Sequence, residues 1–131
     1  MIYEHFALNV SNPIEMAEWY VKNCKMKIVK GMKEPPFAHF LADKTGRVVL
    51  EIYLNKNSEI QKFEKDNLLK FHFAFMVKDA EDWKNKLIQA GATFVEEIFT
   101  DDGSQIVMLR DPFKMPLQLC RRGKSMMDIE L

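Results

Sequence analysis

The hydrophobic pattern at the start of the chain recurs near its middle. Residues 5–10 (HFALNV) and residues 72–77 (HFAFMV) both alternate between apolar side chains and a second face that begins with a histidine. Such alternation is typical of a half-buried β-strand. The two segments are 67 positions apart in a chain of 131 residues. The pattern therefore indicates an internal duplication.

An amphipathic helix is predicted to follow the first strand. Asn12 is a favourable capping residue, Pro13 suits the first helical position, and Glu15 completes a capping box. We expect this helix to run to about Asn23 and to pack on the apolar face of the strand. The residues expected to be buried lie near helical spacing: Ile14, Ala17 and Val21.

The second half predicts the same helix. Asp79 is a capping residue 67 positions after Asn12, and Gly91 is expected to end the helix in a left-handed conformation. An apolar stripe at spacings of three and four residues lies between them: Ala80, Trp83, Leu87 and Ala90. The duplication therefore includes the helix.

Three more strands are predicted after each helix, which gives two β-α-β-β-β modules. In the first half they cover about residues 26–32, 37–42 and 47–54, and in the second half 93–99, 105–109 and 115–121. A four-residue turn at 43–46 would place Glu51 opposite Ala38 and His39 opposite Leu50, so that His39 leaves the face of Glu51. A five-residue loop would reverse that conclusion.

Four polar residues occupy equivalent positions in the two halves. His5 corresponds to His72, and Glu51 corresponds to Gln118, each at the same offset of 67 positions. The apolar neighbours of Glu51 and Gln118 should face the helices, so these two polar side chains should lie on the opposite side of the sheet. Two such modules would enclose a trough between their helix-free faces, lined by the four polar residues.

Length and composition limit the classes of function. A chain of 131 residues is predicted to form a single domain, with module 1 at residues 1–54, a polar linker at 55–70, module 2 at 71–121 and a tail at 122–131. Nineteen basic and nineteen acidic residues leave no net charge to attract nucleic acid. No apolar run is long enough to cross a membrane. The strand pattern begins at Ile2, so we expect a cytoplasmic protein.

Cysteine usage agrees with a reducing compartment. Cys24 and Cys120 are not at equivalent positions of the two modules, and they do not form a CxxC motif. We expect two reduced structural thiols rather than a disulfide or a metal-binding pair.

With these features the chain resembles the vicinal oxygen chelate superfamily, which includes glyoxalase I, methylmalonyl-CoA epimerase, extradiol dioxygenases and bleomycin-resistance proteins. The resemblance rests on the paired modules, on the histidines that open equivalent strands, and on residues 109–118 (LRDPFKMPLQ). It implies an α+β, glyoxalase-like fold in which two tandem modules form a curved mixed sheet around a trough. It also implies metal ligands at four positions: His5, Glu51, His72 and Gln118.

The ligand types favour one divalent ion of intermediate softness. Two imidazoles, one carboxylate and one amide suit Zn²⁺, Ni²⁺, Co²⁺, Mn²⁺ or Fe²⁺ better than Ca²⁺. A carboxylate is commoner than Gln at the last position in this superfamily. The alternative is that each histidine is a hydrogen-bonded sheet residue. Asn9 and Tyr53 lie on the same predicted face and could orient a substrate, although structural roles explain them equally well.

Two functions of different classes follow. One is a metal-dependent enzyme with isomerase, lyase or epimerase chemistry through an enediolate or a related oxyanion, in which Glu51 is the expected catalytic base. The other is a metal-free protein of the bleomycin-resistance type that sequesters a small molecule in the trough. An extradiol dioxygenase is less favoured because the last strand offers Gln118 instead of a carboxylate.

We also expect a homodimer, since one small chain would expose a large apolar rim.

Overall fold

The computed structural model describes residues 1–126 of the chain. Half of the predicted tail, residues 127–131, lies outside the described residues. The order of elements confirms two β-α-β-β-β halves: β1 (Phe6–Asn9), α1 (Pro13–Cys24), β2 (Lys27–Gly31), β3 (His39–Ala42), β4 (Val48–Tyr53), a short 3₁₀ turn (Phe63–Lys65), β5 (Phe73–Met76), α2 (Ala80–Gln89), β6 (Thr93–Phe99), β7 (Gln105–Arg110) and β8 (Pro116–Arg121).

The chain divides into two compact units, Met1–Gln61 and Lys62–Leu131. Each unit contains a four-stranded mixed sheet, with the order β1-β4-β3-β2 in the first and β5-β8-β7-β6 in the second. In both units the first strand runs parallel to the last, and the other pairings are antiparallel. No helix within the described part of the chain is long and apolar enough to span a membrane.

The duplication extends to the pairing of individual residues. Ala7 of β1 is the partner of Glu51 in β4, and Ala74 of β5 is the partner of Gln118 in β8. Both members of the second pair lie 67 positions after those of the first. Since side chains alternate along a strand, Glu51 and Gln118 occupy the same face of their respective sheets.

Helix α1 has the predicted boundaries and buries Ala17 as predicted, but the other two predicted core residues lie outside the buried stripe. Ile14 and Val21 are 39% and 38% exposed, so the prediction that they are buried is wrong. The capping box is also wrong, since the side chain of Asn12 makes no capping hydrogen bond within residues 1–126. A second stripe with the same helical spacing faces the core instead: Pro13, Met16, Ala17 and Tyr20.

Helix α2 begins and ends as the sequence predicts. The side chain of Asp79 accepts a hydrogen bond from the backbone N–H of Asp82 at 2.9 Å, which satisfies one of the otherwise unpaired groups of the first turn. At the other end Gly91 has φ of +97°, and the N–H of Ala92 donates to the carbonyl of Leu87 at 2.9 Å. This is the arrangement that glycine favours after a helix.

The register of the first hairpin differs from the prediction by two residues. His39 pairs with Ile52 and Phe40 pairs with Glu51, and an irregularity follows Leu41. Ala42 pairs with Val48, one residue from the predicted partner, and the irregularity adds a second residue for the pairs from Leu41 to His39. A shift of two residues keeps those side chains on their predicted faces. The prediction that His39 leaves the face of Glu51 is therefore confirmed, although the predicted partners are wrong. His39 is buried, and its Nδ1 donates to the carbonyl of Phe37 at 2.7 Å.

The linker is more structured than a solvated connector. It contains the 3₁₀ turn at Phe63–Lys65. Phe63 is buried beneath this turn. The guanidinium of Arg110 donates to the carbonyls of Phe63 and Asp66 at 2.8 and 2.6 Å. A charged donor from β7 thus fixes the end of the linker to the second unit.

Candidate functional site

The first unit brings His5 and Glu51 together on the helix-free face of its sheet. Parallel pairing places Ala7 beside Glu51, and His5 lies two residues earlier on the same side of the chain. His5 Nε2 is 3.0 Å from Glu51 Oε2. The two side chains are 25% and 19% exposed, so both remain accessible to a small ligand. Residues that are 46 positions apart thus form one polar pair.

Two further side chains surround the ring of His5. Phe40 packs edge-on against it, with ring centroids 5.4 Å apart and an interplanar angle of 83°. Phe40 is on this face because it is the register partner of Glu51. On the other side, Glu4 Oε2 lies 3.0 Å from His5 Nδ1. The sequence interpretation missed both neighbours, since one depended on the correct hairpin register and the other precedes the first strand.

Asn9, a predicted substrate-binding residue, is held by the linker of its own unit. Its amide nitrogen donates to the carbonyls of Asn55 and Glu59 at 2.9 and 3.0 Å, and its amide oxygen accepts from the N–H of Asn55 at 2.8 Å. These bonds join the end of β1 to the segment after β4. Tyr53, the register partner of Asn9, is half-buried. A substrate contact by either residue stays a prediction.

In the second unit, the ring of His72 is oriented by a backbone carbonyl. His72 Nδ1 is 3.0 Å from the oxygen of Leu68. A carbonyl can only accept, so Nδ1 donates, and the lone pair of a neutral ring lies on Nε2. Metal-binding histidines commonly use this tautomer. His72 itself is exposed.

The other candidate of the second unit, Gln118, is in contact with sulfur atoms. Its Nε2 donates to Met108 Sδ at 3.0 Å, and its Oε1 accepts from the thiol of Cys120 at 2.8 Å. Cys24 and Cys120 are not joined by a disulfide. Burial raises the pKa of the Cys120 thiol, which favours the protonated form that donates to Gln118.

The positions of the four predicted ligands can be compared with the spacing of ligand atoms around a divalent ion. No group of three or more His, Cys, Asp or Glu side chains that could hold an ion occurs within residues 1–126. Each unit carries two of the four predicted ligands. Two ligand atoms that are each about 2.1 Å from one ion, in directions at right angles, lie about 3 Å apart. The separation of 3.0 Å between His5 Nε2 and Glu51 Oε2 fits two such positions. The convergence of all four residues stays a prediction.

Comparison with known proteins supports the fold. The solved structures that are similar to this chain include three whose low identities show only the fold. A glyoxalase family protein from Enterococcus faecalis is 22% identical with a TM-score of 0.69, covering 92% of this chain and 97% of its own. A glyoxalase/bleomycin resistance protein/dioxygenase family enzyme from Burkholderia phytofirmans PsJN is 15% identical with a TM-score of 0.71, covering 91% and 97%. A superfamily member from Sphaerobacter thermophilus is 13% identical with a TM-score of 0.68, covering 93% and 98%.

The sequence itself gives the family assignment. The comparison with curated proteins found no match. The model of the Glyoxalase/Bleomycin resistance protein/Dioxygenase superfamily matches residues 2–119, nearly the whole chain. The chain therefore belongs to the Glyoxalase/Bleomycin resistance protein/Dioxygenase superfamily.

Proposed function

We propose that the chain is a metal-dependent, glyoxalase-like enzyme that acts on a small substrate with two adjacent oxygen atoms. In this proposal four side chains hold one divalent ion: His5, Glu51, His72 and Gln118. The ion is one of Zn²⁺, Ni²⁺, Co²⁺, Mn²⁺ or Fe²⁺, in keeping with the imidazole, carboxylate and amide donors. When bound, it would polarise the chelated oxygens and stabilise an enediolate or a related oxyanion.

The observation that carries the proposal is the pair formed by His5 and Glu51. The 3.0 Å between His5 Nε2 and Glu51 Oε2 matches adjacent ligand positions of one ion. His72 adds support, because its Nδ1 donates to the carbonyl of Leu68 and leaves the lone pair of a neutral ring on Nε2. The two histidines occupy equivalent positions of the two modules.

Glu51 is the only carboxylate among the four candidates. Gln118 is a neutral amide, and its oxygen already accepts from Cys120. Glu51 therefore has two roles in the proposal, as a ligand and as the base that takes a proton from carbon. Nε2 of His5 lies 3.0 Å from Oε2 of this carboxylate, so both groups can face the same ion.

A second candidate function is metal-free binding of a small molecule, as in bleomycin-resistance proteins. The observation in its favour is the engagement of Gln118, whose amide already contacts Met108 and Cys120 at 3.0 and 2.8 Å. An amide oxygen that accepts a thiol hydrogen bond has to give up or share that bond to become a ligand. In a binding protein the same amide would simply line the sheet.

Elemental analysis separates the two functions. Protein purified without a chelator or a histidine tag is expected to carry about one divalent ion per pair of β-α-β-β-β units. His5→Ala and His72→Ala should each lose it, since removal of one of four ligands lowers affinity steeply. The matched control is His39→Gln, because His39 is the third histidine and lies on the other face. Circular dichroism should verify that each variant is folded.

Equal trace metal in the wild type and in His72→Ala would contradict the enzyme proposal and favour the binding protein. A loss of metal in all three variants, including His39→Gln, would also contradict it, because the metal would then depend on the intact fold and not on the two proposed ligands.

A further inference from the structure

The second ring nitrogen of His5 has an unusual environment. Nδ1 is buried and makes no hydrogen bond of good geometry within the described residues. Yet Glu4 Oε2 lies only 3.0 Å away, close enough for an ion pair. The side chain of Glu4 is 77% exposed, so solvent leaves it free to rotate. A small rotation of this carboxylate would align it with the Nδ1–H of His5.

His72, the equivalent histidine of the second unit, has a hydrogen-bond acceptor for its Nδ1–H. His72 Nδ1 donates to the backbone carbonyl of Leu68 at 3.0 Å. The residue before His72 is Phe71, which has no acceptor in its side chain, whereas the residue before His5 is Glu4. The two modules thus present different acceptors to the same ring nitrogen, a backbone oxygen in one and a carboxylate in the other.

The segment that carries Glu4 is anchored to its own sheet. Arg47 Nη2 donates to the carbonyl of Tyr3 at 2.9 Å, and the guanidinium lies 5.5 Å from the centroid of the Tyr3 ring. This contact fixes the backbone immediately before Glu4. The carboxylate can therefore reach His5 without ordering a long free terminus.

We propose that Glu4 is a positioning residue, whose carboxylate accepts the Nδ1–H of His5 and thereby directs Nε2 toward the site of the metal ion. This inference rests on the proposed function and adds to it a residue outside the four predicted ligands. Histidine ligands usually donate their second N–H to a carboxylate or a carbonyl, which fixes the ring and makes the ligating nitrogen more basic. His72 has such a carbonyl in Leu68, and Glu4 supplies the counterpart for His5.

A titration of the full chain with Co²⁺, followed by its visible absorption, tests the role of Glu4. Glu4→Ala should weaken Co²⁺ binding about tenfold or more, the usual effect of removing such a partner. Glu4→Gln keeps an acceptor oxygen and should recover part of that loss. The control Glu18→Gln removes the same charge from an exposed position on α1 and should bind Co²⁺ as the wild type does.

A second measurement needs no metal. Long-range ¹H–¹⁵N spectra of the metal-free protein should show His5 Nδ1 carrying a proton, and Glu4→Ala should shift that signal. The His72 ring, held by the carbonyl of Leu68, should not change. If Glu4 only stabilised the fold, Glu4→Ala would shift the signals of both histidine rings or of neither.

The outcomes separate the two proposals. If the wild type binds Co²⁺ and Glu4→Ala binds it equally well, Glu4 has no positioning role, while the proposed function stands. If the wild type does not bind Co²⁺, the proposed function fails, and an unchanged His5 signal in Glu4→Ala would then overturn the contact with Glu4 as well.

Discussion

Replacing Gln118 by Glu tests whether a missing carboxylate limits the chemistry of this chain. Proton abstraction beside a chelated carbonyl needs a base near the ion, and Gln118 leaves Glu51 as the only carboxylate among the four candidates. We therefore expect the native protein to have little glyoxalase I activity. General base catalysis typically contributes about 10²- to 10⁴-fold, so Gln118→Glu should raise hemithioacetal isomerisation by about 100-fold or more.

The structure indicates that the fold tolerates this change. The Glu side chain retains an oxygen that can accept from the thiol of Cys120, now 2.8 Å from Gln118 Oε1. It loses the donor that contacts Met108 Sδ at 3.0 Å, and it places an oxygen beside a thioether that cannot donate. Gln118 is only half-buried, so water can reach it. The cost should be about 1–2 kcal/mol, below the roughly 5–15 kcal/mol that holds a typical domain.

The assay follows isomerisation of the methylglyoxal–thiol hemithioacetal by ultraviolet absorption, with urea denaturation to measure the change in stability. Gln89→Glu is a matched control, because Gln89 is exposed on α2 and the change adds the same charge away from the sheet. Strong native activity that Gln118→Glu leaves unchanged would refute this explanation of Gln118. Complete loss of folding would refute the estimate of its cost.

Three further predictions concern stability and assembly. Asp111 is fully buried, and its Oδ1 accepts from the N–H groups of Phe113 and Met115, both at 2.9 Å. Asp111→Ala should therefore cost about 3–5 kcal/mol in urea denaturation, with a smaller loss for Asp111→Asn; a loss below about 1 kcal/mol would contradict this. Hydrogen bonds from Thr100 and Ser104 lower the pKa of Asp102 to about 2 from 3.8. The stability that this carboxylate contributes should be complete above about pH 4 and should disappear as the pH falls toward 2, and acid unfolding of Asp102→Asn should lack that component. The chain should form a homodimer, and a monomer by light scattering across micromolar concentrations would contradict this.

The sequence alone determined the duplication and its consequences for the sheet. An offset of 67 positions relates both histidines, and the same offset relates the pairs Ala7–Glu51 and Ala74–Gln118 in the structure. The offset predicts equivalent faces because side chains alternate strictly along a strand, so that equivalent positions must share a face. The cap at Asp79 and the stop at Gly91 were also predictable, since both depend on local backbone chemistry.

Only the tertiary structure decided which of two equally spaced stripes of α1 is buried. Ile14 and Val21 have the correct helical period, yet the stripe that contains Tyr20 packs on the sheet. The spacing defines a face, but the rotation of the helix about its axis depends on how large side chains fit the surface beneath it. The linker gave a similar result, because Phe63 is buried and its backbone carbonyl accepts a hydrogen bond from Arg110, 47 positions away.

The candidate site also depends partly on the sequence and partly on the tertiary structure. Residue types and repeat spacing identified His5 and Glu51, but their 3.0 Å contact requires the parallel pairing of β1 with β4. The neighbours Phe40 and Glu4 could not be assigned from the sequence. Phe40 reaches His5 because a loop one residue longer than predicted and a one-residue irregularity together move the register by two. Glu4 lies before the first strand, where strand periodicity does not predict contacts. Sequence periodicity fixes the face of a sheet on which a side chain lies, whereas distances across that face depend on strand order and register, which are set by packing.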